Sequence, residues 1–155
     1  MIALRQARLD EAEPLTDLCR RSKAHWGYDA DFMRQCEEAL QVTPEAIAAG
    51  TVLVATDGGN RQLGVAQIDL IDDMAELSLL FVEPTAMGRG VGRLLLRRVL
   101  AELGRCGVRQ LAILADPHAA GFYEAMGARF VRMAASDAIP GRELPLYVLG
   151  LKITA

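Results

Sequence analysis

Met87-Gly88-Arg89-Gly90-Val91-Gly92-Arg93 joins an apolar run, Ala75-Glu76-Leu77-Ser78-Leu79-Leu80-Phe81-Val82, to a segment with Val91, Leu95, Val99 and Leu103 in one i,i+4 row. The run before it reads as a strand stopped by Pro84, and its continuous apolar end predicts burial on both faces. The segment after it reads as an amphipathic helix. Three glycines in five residues let the backbone come close to a ligand. The unpaired amides at the helix start, reinforced by the helix dipole, then point at negative charge. A pyrophosphate fits that arrangement.

Spacing narrows the compound. A dinucleotide fingerprint needs Gly-x-Gly-x-x-Gly and an acidic residue about twenty positions on. Position 93 is arginine, and the next strand begins at Val108-Arg109 without such an acid. No Gly-Lys-Ser/Thr ending marks a nucleotide-hydrolysing loop either. Hydride transfer and nucleotide hydrolysis lose support together.

Toward the N-terminus, Ile2 to Leu9 reads as a strand and Asp10 as the N-cap of a helix through Leu15, Leu18 and Cys19, with Pro14 tolerated in its first turn. A second helix starts near Asp29 or Asp31 and carries Phe32, Met33, Cys36 and Leu40. Thr43-Pro44-Glu45 then caps a short turn that Gly50 ends. From Thr51 the period becomes two. Val52 and Val54 lead into Asp57-Gly58-Gly59-Asn60, which is hairpin chemistry, and Leu63 to Ile71 returns, with Asp72-Asp73 making the next turn.

The 155 residues are about one domain's worth of chain, and 52% apolar with 24% charged residues is a globular composition. No apolar run is long enough to span a bilayer and no signal-like segment opens the chain, so the expected setting is the cytoplasm, without membrane association. A net charge of −3 with scattered arginines argues against a nucleic-acid partner. Cys19, Cys36 and Cys106 are odd in number and far apart, which predicts three reduced structural thiols and no metal site.

With the elements in this order, Met87 to Gly92 resembles the pyrophosphate motif of the GNAT superfamily of acyl-CoA N-acyltransferases, Gln/Arg-x-x-Gly-x-Gly/Ala. Met87 stands at the first motif position, which removes a side-chain contact and leaves the backbone amides of Gly88 to Arg93. Downstream of a strand from Leu111 to Ala115, Asp116-Pro117-His118-Ala119-Ala120-Gly121-Phe122-Tyr123-Glu124-Ala125-Met126-Gly127-Ala128 is similar to the family's Asn-x-x-Ala-x-x-Phe-Tyr-x-x-x-Gly-Phe segment. Either Asp116 or His118 takes the asparagine's place against the pantetheine arm. A last strand from Leu144 to Lys152, after the Ile139-Pro140-Gly141-Arg142 turn, continues the likeness.

The resemblance implies an α/β (α+β) fold over residues 1–155 as a single domain. Its mixed central sheet would have six to seven strands with flanking helices, splayed between strands 4 and 5. It also implies acetyl-CoA as cofactor and direct transfer of the acetyl group to a primary amine in a ternary complex. A non-catalytic acyl-CoA sensor and a protein-interaction domain are the rival readings. Three glycines at a helix start are of no use to the latter.

Chemistry then falls on named residues. An alkylamine with pKa near ~10 is protonated at neutral pH and needs a base before it attacks a thioester. Glu76, eleven residues before Met87, resembles the position where the histone-acetylating branch carries its base; the alternative is a paired carboxylate on an amphipathic strand. Ser78, on the same face, would orient a water. Tyr123 matches the family's tyrosine and would protonate the leaving thiolate, with Phe122 sent to a different face; plain core packing is the other reading. Backbone groups of Phe81 and Val82 resemble those that hold pantetheine and polarise the carbonyl.

Arg89 and Arg93 suit phosphate oxygens, or are simply solvated. The segment Lys23 to Phe32 would bind the amine through His25, Trp26, Tyr28, Asp29 and Phe32, or else plug a helix-turn-helix; Arg142 would form the opposite rim. The acceptor is a small-molecule or peptide amine, and an exposed terminal strand permits a homodimer.

Overall fold

The computed structural model describes residues 1–151. The strands are β1 (Ala3–Gln6), β2 (Val52–Thr56), β3 (Gln62–Ile71), β4 (Met74–Val82), β5 (Gln110–Leu114), β6 (Arg129–Ala135) and β7 (Glu143–Gly150). The helices are α1 (Ala12–Ala24), α2 (Ala30–Cys36), α3 (Pro44–Ala48), α4 (Val91–Arg105) and α5 (Ala120–Ala125). The seven strands run in the order β1-β2-β3-β4-β5-β7-β6. β4 and β5 are parallel, whereas the β1/β2, β2/β3, β5/β7 and β6/β7 pairs are antiparallel, so the sheet is mixed as expected.

The chain forms two compact units, Met1–Gln67 with Leu79–Arg97, and Ile68–Ser78 with Arg98–Ala155. In the first unit, β2 is buried along its whole length, and Leu15, Leu18, Val54, Val65, Val91 and Leu95 are at most 1% exposed. In the second, Leu111, Ile113, Tyr147 and Leu149 form the core. The ladder between β4 and β5 covers only Ala75↔Leu111 and Glu76↔Ala112, while β5 runs on to Leu114.

Local rules account for most boundaries. The Asp29 carboxylate caps α2 by accepting the Phe32 amide at 2.8 Å, and the Thr43 hydroxyl caps α3 by accepting that of Ala46 at 3.1 Å. In the β2–β3 hairpin, Asp57 accepts the Gly59 and Arg61 amides. The i,i+4 row on α4 is buried throughout, Val91, Leu95, Val99 and Leu103 all being at most 4% exposed.

Several expectations fail for reasons that are not local. β1 ends at Gln6, and the chain enters α1 through a 3-10 turn, Leu9–Glu11, so Asp10 is not the cap. Glu11 is the residue held there. Its carboxylate takes both Arg5 guanidinium nitrogens at 2.7 and 2.9 Å, the Gln62 amide at 2.7 Å and the Arg8 backbone N–H at 2.8 Å. The Arg5 bond is the main reason its carboxyl is held down at about 2. α2 stops at Cys36, so Leu40 is buried without being helical.

The end of β4 is not buried on both faces. Ala75, Leu77 and Leu79 are buried, while Glu76, Ser78, Leu80 and Val82 on the alternate face are only half-buried. Cys19 and Cys36 are buried, the Cys19 thiol being pushed up to about 12 by burial, but Cys106 is exposed and so does not serve the core. β7 begins at Glu143 and ends at Gly150; Lys152 lies outside the described residues.

Gly64 on β3 sets how closely α4 packs. A Cβ built there would lie 2.8 Å from Val91 Cγ1, 3.0 Å from Leu95 Cδ1 and 3.1 Å from the Phe81 carbonyl oxygen. Those neighbours are buried or backbone and have little room to move. Gly64→Ala is expected to cost about 1–3 kcal/mol, the usual penalty of overpacking, and thermal unfolding of the variant measures it.

Candidate active site

The first unit holds the anion site. Gly88 and Gly90 have φ of +82° and +84°, the left-handed region that glycine alone enters freely. Both precede α4 instead of diluting its first turn, which corrects their placement at the helix start. A Cβ on either would meet nothing within 4 Å, so the backbone lies open to solvent on that side. The first bond of the α4 ladder is Leu94 N–H to Gly90 O, at 3.1 Å. The amides of Val91, Gly92 and Arg93 therefore come before the ladder and have no partner within the helix. An open left-handed turn leading into a run of forward-pointing amides fits a diphosphate.

Met87 is half-buried before this turn, while Arg89 and Arg93 are exposed beside it. Arg89 adds its field to Asp57, whose carboxyl is held below its ordinary value first by the Arg61 and Gly59 amides. Phe81 and Val82, half-buried at the end of β4, precede the turn by one short 3-10 segment, Pro84–Ala86. Glu83 between them is 8% exposed, and Arg21 on α1 pairs with it at 2.6 Å and 3.0 Å. This ion pair, which no local pattern announces, anchors α1 to the end of β4.

The aromatic segment between α1 and α2 also belongs to this unit. Tyr28 and Phe32 stack with ring centres 4.0 Å apart, and the Lys23 ammonium lies 5.2 Å from the Tyr28 ring centre and 5.8 Å from that of Phe32. His25 meets Trp26 edge-on at 5.2 Å, and both are exposed. Asp29 is engaged as the α2 cap. The structure thus adds Lys23 to the residues read from sequence and gives Asp29 a structural task.

The second unit holds the titratable groups. Glu76 lies half-buried on β4, opposite Ala112 of β5. Burial first, then the negative charges of Asp137 and Asp69, raise its carboxyl above the ordinary range. The Ser78 hydroxyl donates to Asp69 Oδ2. Tyr123 is 6% exposed and Phe122 half-buried, so the tyrosine is the more deeply packed of the two. Burial, with a smaller push from Asp116, raises the Tyr123 phenol far above its usual value, so it stays protonated at any working pH.

Asp116 and His118 prove not to be alternatives in space. The Asp116 carboxylate caps a 3-10 turn by accepting the His118 N–H at 2.8 Å and sits 2.9 Å from the His118 Nδ1. Arg142 is half-buried in the β6–β7 connection, where its carbonyl accepts the Ser136 amide at 2.8 Å. Among the described residues, no group of three or more His, Cys, Asp or Glu side chains is placed to hold a metal ion. No helix among them is long and apolar enough to cross a membrane.

Comparison with known proteins decides what this glycine turn belongs to. The family model of the acetyltransferase (GNAT) domain matches residues 48–127, from before β2 to the end of the Phe122-Tyr123 segment. The chain belongs to the GNAT acetyltransferase family. Acetyl-CoA is the cosubstrate of that family, and the open turn before α4 is the feature suited to its diphosphate. The chain is 41% identical over 46 residues to "Serotonin N-acetyltransferase 2, chloroplastic" of Oryza sativa subsp. japonica. That match covers 30% of this chain and 23% of the relative, under a quarter of its length.

Solved acetyltransferase structures share the fold over nearly all of the chain. The PaiA N-acetyltransferase of Thermoplasma acidophilum, in complex with coenzyme A, is 16% identical with a TM-score of 0.79, covering 97% of this chain and 99% of that one. A GNAT-family acetyltransferase of Staphylococcus aureus Mu50 is 17% identical with a TM-score of 0.75, covering 98% and 100%. At such identities the likeness is one of fold.

Proposed function

We propose that this GNAT chain acts as one domain, residues 1–155, that transfers an acetyl group from acetyl-CoA directly to a primary amine within a ternary complex. The observation that carries the reading is the left-handed Gly88–Gly90 turn opening onto the unpaired amides of α4. In this reading the amides of Gly88, Gly90, Val91, Gly92 and Arg93 grip the diphosphate, Arg89 and Arg93 neutralise it, and Met87 lines its edge by packing alone. The backbone of Phe81 and Val82 and the Asp116–His118 pair hold the pantetheine arm. Acetyl-CoA, when bound, supplies a thioester carbon open to attack.

Glu76 accepts the proton that the attacking amine must lose. Its raised pKa brings it nearer to neutrality than an ordinary carboxylate, which favours proton transfer at working pH. Tyr123 is the proton donor to the departing sulfur; burial keeps its phenol protonated but also makes it a weaker acid, so it acts chiefly by a hydrogen bond to the developing thiolate. Tyr28, Phe32, His25 and Trp26 receive the amine's carbon skeleton, with Asp29 and Arg142 fixing loops around it. A reducing, cytoplasmic setting would keep the buried Cys19 and Cys36 side chains as core thiols. The exposed outer strand β6, with Phe130, Val131 and Met133 about half exposed, favours a homodimer.

Acetyl-CoA at 100-fold its Kd is expected to stabilise the protein by about 2.7 kcal/mol, a rise of roughly 5–10 °C in Tm for a chain of this size. Thiol release with a panel of primary amines then separates turnover from mere sensing. An unmoved Tm would remove the reading. Tyr123→Phe is expected to lower kcat about 10²-fold while leaving the coenzyme-induced Tm shift intact, because only the donated proton is lost.

A further inference from the structure

Asp69 on β3 has no part in the mechanism above. It is exposed, and it accepts the hydroxyl proton of Ser78 on β4. A serine hydroxyl has one proton and two lone pairs, so a Ser78 that donates to Asp69 can only accept elsewhere. Ser78 lies two residues from Glu76 on the half-buried face of β4, and an ionised carboxylate also only accepts. Two neighbouring groups on one face thus offer lone pairs and no proton.

An amine about to attack a carbonyl needs that polarity. Its N–H bonds must be held by acceptors so that its own lone pair is directed at the acetyl carbon. A hydroxyl donating to the nitrogen would engage that lone pair and oppose the attack.

We propose that Asp69 is a positioning residue for acetyl transfer, one that takes the Ser78 proton and so keeps Ser78 an acceptor for the N–H of the incoming amine beside Glu76. The inference rests on the transfer reading above. It also replaces the water-orienting part that the sequence suggested for Ser78 with a direct one. The groups around Glu76 are Asp69 from β3, Ser78 on its own strand, Ala112 from β5, which carries no charge, and Asp137 from the β6–β7 connection. Both charged neighbours are negative, so Asp69 also helps hold Glu76 above the ordinary carboxylate range.

Asp69→Ala, Ser78→Ala and the double variant, assayed by thiol release from acetyl-CoA with serotonin, putrescine and an alanine-led peptide as probes, test the proposal. Each single variant is expected to lose about tenfold in kcat with KM little changed, the size of one hydrogen bond made in the transition state. At a pH well above the acid limb the double variant is expected to be no worse than Ser78→Ala, since Asp69 holds the amine only through Ser78, its separate push on Glu76 showing in the acid limb alone. The acid limb of kcat/KM should move to lower pH in Asp69→Ala and in Asp69→Asn, and stay in place in Ser78→Ala.

A retained coenzyme-induced Tm shift certifies that each variant is folded. Losses that multiply in the double variant, or an acid limb that Asp69→Asn leaves unmoved, overturn the proposal. A wild type that binds acetyl-CoA but turns over none of the probes overturns the transfer reading, and the proposal falls with it.

Discussion

Glu76→Gln is expected to lower kcat by about 10²–10⁴-fold, the range for loss of a general base, while the coenzyme-induced Tm shift is unchanged. The side chain keeps its shape and loses only the ability to take a proton. In the parent protein the acid limb of the pH–rate profile should lie above the ordinary glutamate range, because burial, Asp137 and Asp69 all raise the Glu76 carboxyl. Activity should therefore be lost as pH falls through that raised value, and the limb should be absent from the variant.

Stability moves the other way. A carboxyl whose folded-state pKa is raised supports the fold fully below its unfolded-state value, and that support is lost as pH rises through the folded-state value. At neutral pH an ionised, half-buried Glu76 is a burden on the fold, so Glu76→Gln should match or exceed the parent Tm at pH 7 and lose that advantage in acid. A variant nearly inactive yet no less stable would mark a residue kept for chemistry, whereas parallel losses of rate and Tm would mark a structural carboxylate.

Gly90→Ala is expected to weaken acetyl-CoA binding about 10- to 100-fold, the worth of one charge-assisted hydrogen bond, with a smaller loss of stability in the free protein. At φ +84° an alanine is strained by about 1–2 kcal/mol, although the space around its Cβ is open. The larger effect falls on the ligand, since the methyl would project into the open side of a turn whose amides must reach a diphosphate. Calorimetric titration of the variant checks the affinity, and thermal unfolding without ligand checks the strain. An alanine that changes the apo stability alone would detach the turn from coenzyme binding.

Much of this was legible in the chain because it is local. The buried row of α4, the hairpin at Asp57-Gly58-Gly59-Asn60, the Thr43 and Asp29 caps and the glycine turn all depend on residues within a few positions of one another, where backbone conformation and hydrogen bonding are decided. The family segments around Gly88 and Tyr123 were legible for the same reason, each being one short loop and the helix after it.

What the order of residues determined by itself is therefore the menu of elements, their sequence along the chain and the chemistry each could carry. Tertiary structure alone decided which side chains meet. Glu11, not Asp10, guards the entry to α1 because Arg5 and Gln62 converge on it. Arg21 finds Glu83 across sixty-two positions, and Gly64 admits α4 to within a methyl group's breadth of β3. Ser78 meets Asp69 across neighbouring strands of the sheet. Most of those contacts join residues beyond the reach of one local motif, and a one-residue change of register would turn every side chain of a strand to its other face. Periodicity can name the faces of a strand; only the packed sheet settles what stands opposite them.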